Sequence, residues 1–326
     1  MIDIKDIFTI NSKADFNALT LQVFKHQFKT NLVYQEFCNH LGKDSSNVSQ
    51  IQDIPFIPID FFKSKTILSG KEKASTIFTS SGTTGSITSK HYVTNTKLYE
   101  ESYLKAFKHF YGSVKDYCVL ALLPSYLERK GSSLIYMVDD LIKKSEHPKS
   151  GFFLNNTDTL LETLKTLQNT NTKILLIGVS FALLDLVETN QLHLKNTVVM
   201  ETGGMKGRRK EMIREELHET LKKGFGLSKI HSEYGMTELL SQGYSKGDGI
   251  FNCPPWMKVL TRDTEDPLTL QDYGKTGGVN VIDLANINSC SFIATQDLGK
   301  VYENGSFEIL GRFDHSDIRG CNLMVL

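Results

Sequence analysis

Four short β-prone apolar runs, most of them followed by a helical pattern, constrain this chain more than any other feature. They lie at Ser75 to Thr79, Cys118 to Leu123, Lys173 to Ile177 and Thr197 to Met200. Strands alternating with helices pack as helices laid over a mostly parallel sheet, so the middle of the chain predicts an α/β fold. Before it, Phe16, Leu19, Val23, Phe24, Phe28, Leu32 and Phe37 recur mostly at three- and four-residue spacings, which predicts amphipathic helices between Ala14 and His40. In IPFIPIDFF (Ile54 to Phe62), Pro55 and Pro58 forbid a continuous helix and predict an extended apolar strap over the core.

After about Tyr244 the texture changes to short β-prone pieces separated by Gly, Asn and Asp: Gly277 to Leu284, Ser291 to Ala294 and Ser306 to Ile309. These predict a smaller β-rich subdomain. The expected organisation is a helical lead-in and strap at 1–70, an α/β core at 71–245, the β-rich subdomain at 246–310 and a hinge-like tail at 311–326. With no repeat, low-complexity tract or long linker visible, these read as subdomains of one body.

The 37 basic and 37 acidic residues cancel, so no overall field favours nucleic acid or an anionic membrane. Charges interrupt every apolar run of MIDIKDIFTINSKADF, which argues against a secretory signal, and no apolar stretch approaches the roughly 18 residues of a membrane span. A cytoplasmic protein is expected. Its five cysteines are scattered without a CxxC pair and read as reduced, mostly structural thiols. Nine histidines without HExxH-like spacing argue against an all-protein zinc site.

Chemistry is concentrated in four stretches. In TIFTSSGTTGSITSKHY (Thr76 to Tyr92) an apolar strand runs into Ser80, Ser81, Gly82, Thr83, Thr84 and Gly85. Glycines let a backbone turn back with its N–H groups converging, and hydroxyls add donors, so the loop suits a polyphosphate; taken alone, such a loop is more often a plain turn. In HSEYGMTELLSQGY (His231 to Tyr244), Tyr234 could stack on a purine while Thr237 and Glu238 hold a phosphate and its magnesium, or Thr237 could cap a helix. SFIATQDLG (Ser291 to Gly299) and EILGRFDHSDIRG (Glu308 to Gly320) put Asp297 and Arg312 on expected loops, a carboxylate suited to ribose hydroxyls and a guanidinium suited to ribose and phosphate. Each of these two is weak by itself.

Together, in this order and spacing, the four resemble the core motifs of the adenylate-forming superfamily, which includes acyl-CoA synthetases, firefly-type luciferases and peptide-synthetase adenylation domains. SSGTTG resembles its phosphate loop, YGMTE its adenine and magnesium motif, TQDLG its ribose segment and LGRFDHSDIRG its hinge. GVSFALLDLVE (Gly178 to Glu188) and the METGGM turn, with Gly203, Gly204 and Met205 beside the adenine, also look similar. The closest resemblance is to the LuxE-type acyl-protein synthetases, through IPFIPIDFFKS, SSGTTGS…SKHY and a chain end just after DIRGC. The resemblance implies the large N-terminal domain of an adenylate-forming enzyme without the C-terminal lid, with ATP and Mg2+ as cofactors and Glu238 as the metal ligand. Ile87 and Thr88 stand where the superfamily's loop continues with Pro-Lys, leaving Lys90 as the nearest lysine, and the lid lysine has no counterpart.

By the same resemblance, a carboxylic acid, fatty in the LuxE-type family, is activated as acyl-AMP, and Cys321 takes the acyl group before an acyl-reductase or acyl-carrier protein receives it. Arg319 and His315 lie near enough in sequence to favour the Cys321 thiolate; a small apolar residue packing the chain end is the alternative reading. His231 and His91 read as structural histidines before acyl-pocket ones. Two other functions stay open at this point: an acyl-CoA or aryl-CoA ligase, and a non-catalytic nucleotide-binding module.

Overall fold

A computed structural model of the chain describes residues 2–80, 87–124, 131–203, 209 and 212–313. They divide into two compact units, one built from the chain up to Gly70 and from Pro255 onward, the other from Lys71–Pro254.

The first unit begins with α1 (Ile4–Ile7), α2 (Lys13–Thr30) and α3 (Leu32–His40). Ser12 caps α2 by accepting from the Asp15 amide, and Asn31 ends α2 while capping α3 by accepting from the Tyr34 amide, so one buried residue turns the chain between them. Phe16, Leu19, Thr20, Val23, Phe24 and Gln27 form the buried stripe of α2. The Pro-containing strap is extended at β1 (Ile57–Pro58), as expected, and then turns into the short α4 (Phe61–Ser64).

The second unit opens with a hairpin of β2 (Thr76–Thr79) and β3 (Lys90–Val93), followed by α5 (Thr96–Tyr111) and β4 (Tyr117–Leu122). Then come α6 (Ser133–Ser145), β5 (Gly151–Phe152), α7 (Thr157–Leu167), β6 (Lys173–Val179), α8 (Ser180–Thr189), β7 (Thr197–Thr202) and α9 (Arg214–Phe225). The unit ends with β8 (His231–Tyr234), β9 (Gly243–Ser245) and β10 (Phe251–Asn252). Its sheet runs β10-β9-β8-β7-β6-β4-β5; β5, β4, β6, β7 and β8 are parallel and β8, β9 and β10 antiparallel. β4 is buried at every position and β6 at all but its first, as strands covered by helices on both faces must be. Each fully buried aliphatic side chain there contributes about 1.5–3 kcal/mol.

The first unit resumes with β11 (Met257–Arg262), β12 (Thr276–Asp283), β13 (Phe292–Val301) and β14 (Phe307–Arg312), an antiparallel meander beside which β1 pairs parallel to β13 at Ile57↔Ile293. α2 is tied to this sheet by Gln27, whose side-chain amide donates toward the carbonyls of Asn286 and Ile287 at 3.1 and 2.9 Å and accepts from the Ser291 amide at 3.0 Å. The β-rich expectation is met with one correction: Asp297 and Arg312 are strand residues rather than loop residues. Alternating burial continues through Thr295, Asp297 and Gly299 of β13, and cross-strand bonding to β14 outweighs the turn preference of Asp and Gly.

Candidate active site

Ligands of open α/β sheets sit outside the carboxyl ends of the parallel strands. In the second unit those ends belong to the residues singled out from the sequence. β7 and β8 are neighbours with Thr202 opposite Glu233, so Gly203 and Tyr234 emerge side by side. Gly203 has φ +70°, a conformation that favours glycine, and its carbonyl accepts from the Ser180 hydroxyl at 2.6 Å. Tyr234 is buried, its ring 6.0 Å from that of Phe251. After it the chain makes a turn at Met236–Leu239, closed by the Leu239 amide on the Met236 carbonyl, so Thr237 caps no helix. Glu238 on that turn is buried and Thr237 partly so. The Thr237 carbonyl is bonded to Nδ1 of the fully buried His91 on β3, which makes His91 an anchor of the turn.

Ser80 lies just past β2, where its amide donates to the Ser89 carbonyl and its hydroxyl accepts from the Ser89 amide at 2.9 Å. That closes the base of the expected phosphate loop; Ser81, Gly82, Thr83, Thr84 and Gly85 lie outside the described residues, as do Gly204, Met205 and Cys321. Lys90 is exposed at the start of β3, in register with Thr79.

Two groups absent from the sequence reading support these strand ends. Beneath β7, Glu201 pairs with Arg214 at 2.6 Å and lies 3.6 Å from His218. Burial alone would push its carboxyl up, but the His218 hydrogen bond and the Arg214 charge outweigh it and hold the group ionised below its ordinary range. On the next strand, Glu233 accepts from the Thr202 hydroxyl at 2.5 Å, and burial, with the Glu201 charge adding to it, pushes its carboxyl up to about 7. The signal available for Glu233 was its place directly before Tyr234 in HSEYG; nothing in the sequence marked Glu201, Arg214 and His218 as a cluster. Burial and the nearby Lys246 and Lys229 lower His231 to about 4, so it is a neutral ring bonded to the Tyr111 hydroxyl at 3.2 Å.

In the first unit, Asp297 on β13 faces Arg312 on β14, with Nε donating to Oδ1 at 3.1 Å. Below them Arg262 is buried and donates to the carbonyls of Val279 and Thr295 at 2.7 and 2.6 Å, which fixes β12 against β13. Gly278 makes room for it: a Cβ there would come within 2.6 Å of the guanidinium carbon.

Among the described residues no group of three or more His, Cys, Asp or Glu side chains could hold a metal, and no helix is long and apolar enough to cross a membrane. A single buried carboxylate such as Glu238 fits a magnesium ion that keeps its waters and takes its remaining ligands from substrate phosphates.

Among solved structures the fold is shared with adenylate-forming enzymes. ATP-bound MatB from Rhodopseudomonas palustris is 19% identical with a TM-score of 0.54, covering 72% of this chain, which spans about half, 47%, of that enzyme's length. A 2-hydroxyisobutyryl-CoA ligase in complex with 2-HIB-AMP and CoA is 11% identical with a TM-score of 0.63, covering 94% of this chain and 77% of that one. Among curated proteins, the long-chain-fatty-acid–luciferin-component ligase of Vibrio harveyi is 24% identical over 92% of this chain and 84% of its own length. The ligase of the same name from Photorhabdus luminescens is 37% identical over 68 residues, 21% of this chain and 58% of that one. The family described as acyl-protein synthetase, LuxE, matches residues 9–326, and the chain therefore belongs to it.

Proposed function

We propose that this chain activates a carboxylic acid with ATP and passes the acyl group to a thiol. Similarity to the two luciferin-component ligases makes a long-chain fatty acid the substrate class. The observation that carries the reading is the emergence of Gly203 and Tyr234 at adjoining carboxyl ends of β7 and β8, with Thr237 and Glu238 on the turn that follows.

In the first step a carboxylate oxygen attacks the α-phosphorus, the bond to the bridging oxygen breaks and pyrophosphate leaves, giving acyl-AMP. Tyr234 and the turn of Gly203, Gly204 and Met205 would flank the adenine, and Ser80 to Gly85 would hold the phosphates. Asp297 would accept the ribose hydroxyls and Arg312 would bridge ribose and phosphate. Magnesium, when bound, neutralises phosphate charge; Glu238 would hold it, with Thr237 beside it. These residues act by positioning and by fixed charge, the two largest contributions available to phosphate chemistry. In the second step the Cys321 thiolate attacks the acyl carbonyl, the bond to the phosphate oxygen breaks and AMP leaves, giving a thioester that an acyl-reductase or acyl-carrier protein would collect.

The test is ATP–pyrophosphate exchange with full-length protein and a panel of fatty acids. Acid-dependent exchange that falls at least about a hundredfold in Glu238→Ala is the expected result. Nucleotide binding without exchange for any acid would instead make the chain a binding module.

A further inference from the structure

At the foot of the Thr237–Glu238 turn, two polar side chains are buried without the partners burial demands. Gln242 is 3% exposed and its Oε1 accepts no hydrogen bond. Glu233 is 9% exposed, takes its hydrogen bond from Thr202 and makes no ion pair among the described residues. They meet at Gly235, where a Cβ would lie 2.4 Å from Glu233 Oε1 and 3.3 Å from Gln242 Cγ, so the missing side chain is what lets the two groups share the space. A buried acceptor left unpaired costs on the order of 1–3 kcal/mol, and such groups in a folded protein call for a partner.

The missing partner is a donor, and the strand geometry says where it comes from. Successive side chains of a strand point to opposite faces. Tyr234 and Ser232 share one face of β8, where Tyr234 meets Phe251 and Ser232 lies 3.3 Å from Arg214. Glu233 is on the other face with Thr202, close enough to Tyr111 and Tyr244 for its charge to raise both hydroxyls. A base stacked on Tyr234 therefore lies on the wrong face to reach Glu233. Glu233 and Gln242 instead bracket, in sequence and in space, the segment assigned to the reacting carboxylate and phosphates, where the body of the acid extends away from its carboxyl group.

We propose that Glu233 and Gln242 form a polar subsite selecting a carboxylic acid that carries a hydrogen-bond donor, a hydroxyl or an amino group, along its chain. The inference rests on the adenylation reading and narrows its substrate class from fatty acids in general to donor-substituted ones. An ammonium would donate to both groups and compensate a carboxylate that has no cation; a hydroxyl would donate to one of them.

Direct calorimetric binding to full-length protein tests this. The probes are straight-chain acids of equal length carrying no substituent, one hydroxyl or one amino group, with the substituent stepped along the chain, and the same acids are run in pyrophosphate exchange. At one substituent position the substituted acid binds at least about tenfold tighter than its plain counterpart, and an amino preference marks the ammonium as the donor. Glu233→Gln, which keeps the shape, reduces the amino preference most; Gln242→Met, which removes the unpaired oxygen, reduces both preferences. Thermal melts of the two variants separate these effects from misfolding. Equal binding of plain and substituted acids overturns the subsite. So does a pair of variants that leave acid preference intact but change affinity for ATP relative to a purine triphosphate lacking the exocyclic amine. Tighter binding of substituted acids with no exchange for any acid would sustain the subsite and remove the adenylation reading.

Discussion

Asp297 and Arg312 stand directly opposite each other on β13 and β14, joined by a 3.1 Å hydrogen bond between a buried carboxylate and a guanidinium whose side chain is 77% exposed. The two motif residues thus come from separate stretches of sequence to one cross-strand pair, one step from the register shift between Leu298 and Gly299. An ion pair with so exposed a partner adds little to stability, about 0–1 kcal/mol. Arg312→Ala should therefore leave the denaturation midpoint nearly unchanged while weakening ATP binding at least about tenfold, a loss of about 1.4 kcal/mol. Calorimetric titration alongside urea melts separates the two, and equal losses in both would make the pair structural.

Glu233 gives the fold a specific pH signature. Its folded-state value of about 7 lies above the ordinary 4.5, so the native state holds this proton more tightly than the unfolded chain does. Its contribution to stability is full below about pH 4.5 and is lost as pH rises through about 7. His231 and Glu201, both lowered, slope the other way, so the wild-type curve is a sum. The difference between wild type and Glu233→Gln isolates the group, and it should move against the wild type by up to about 3 kcal/mol between pH 4.5 and 8. Denaturant melts across that range measure it, and a flat difference contradicts the buried placement.

Burial pushes the Cys38 thiol up to about 12 and the Cys118 thiol up to about 11, and raises Cys290 further. A thiol held protonated is a poor nucleophile. Mass-spectrometric mapping of iodoacetamide modification on native protein near neutral pH should find these three at least about tenfold slower than the part-exposed Cys253. Fast modification of Cys38 or Cys290 would contradict the packing of the first unit.

Gln27 shows what a sequence cannot display. The apolar repeat around it predicts α2, just as apolar runs predict β4 and β6 to within two residues, because a strand or helix face buried by its neighbours is written locally. The partners of Gln27 lie more than 250 residues away, and no local pattern announces them. For the same reason Glu201, Arg214 and His218 were invisible as a cluster, and Asp297 read as a loop residue although β14 holds it in a strand. The motif residues were legible because glycine, aromatic, hydroxyl and carboxylate chemistry is confined to short stretches. Gln27→Leu strands the buried Ser291 amide and the Asn286 and Ile287 carbonyls, and should cost about 3 kcal/mol in chemical denaturation. A cost below about 0.5 kcal/mol would show that this tie is dispensable.

Acyl transfer to Cys321 is the central claim, and covalent labelling tests it most directly. Purified protein is incubated with ATP, magnesium and an alkyne-tagged long-chain acid, with wild type and Cys321→Ala compared after denaturation. Label that requires ATP, is released by hydroxylamine and is absent from Cys321→Ala is the predicted result. Undiminished label on Cys321→Ala, or pyrophosphate release with no label on either protein, would contradict it and point to a different acceptor thiol.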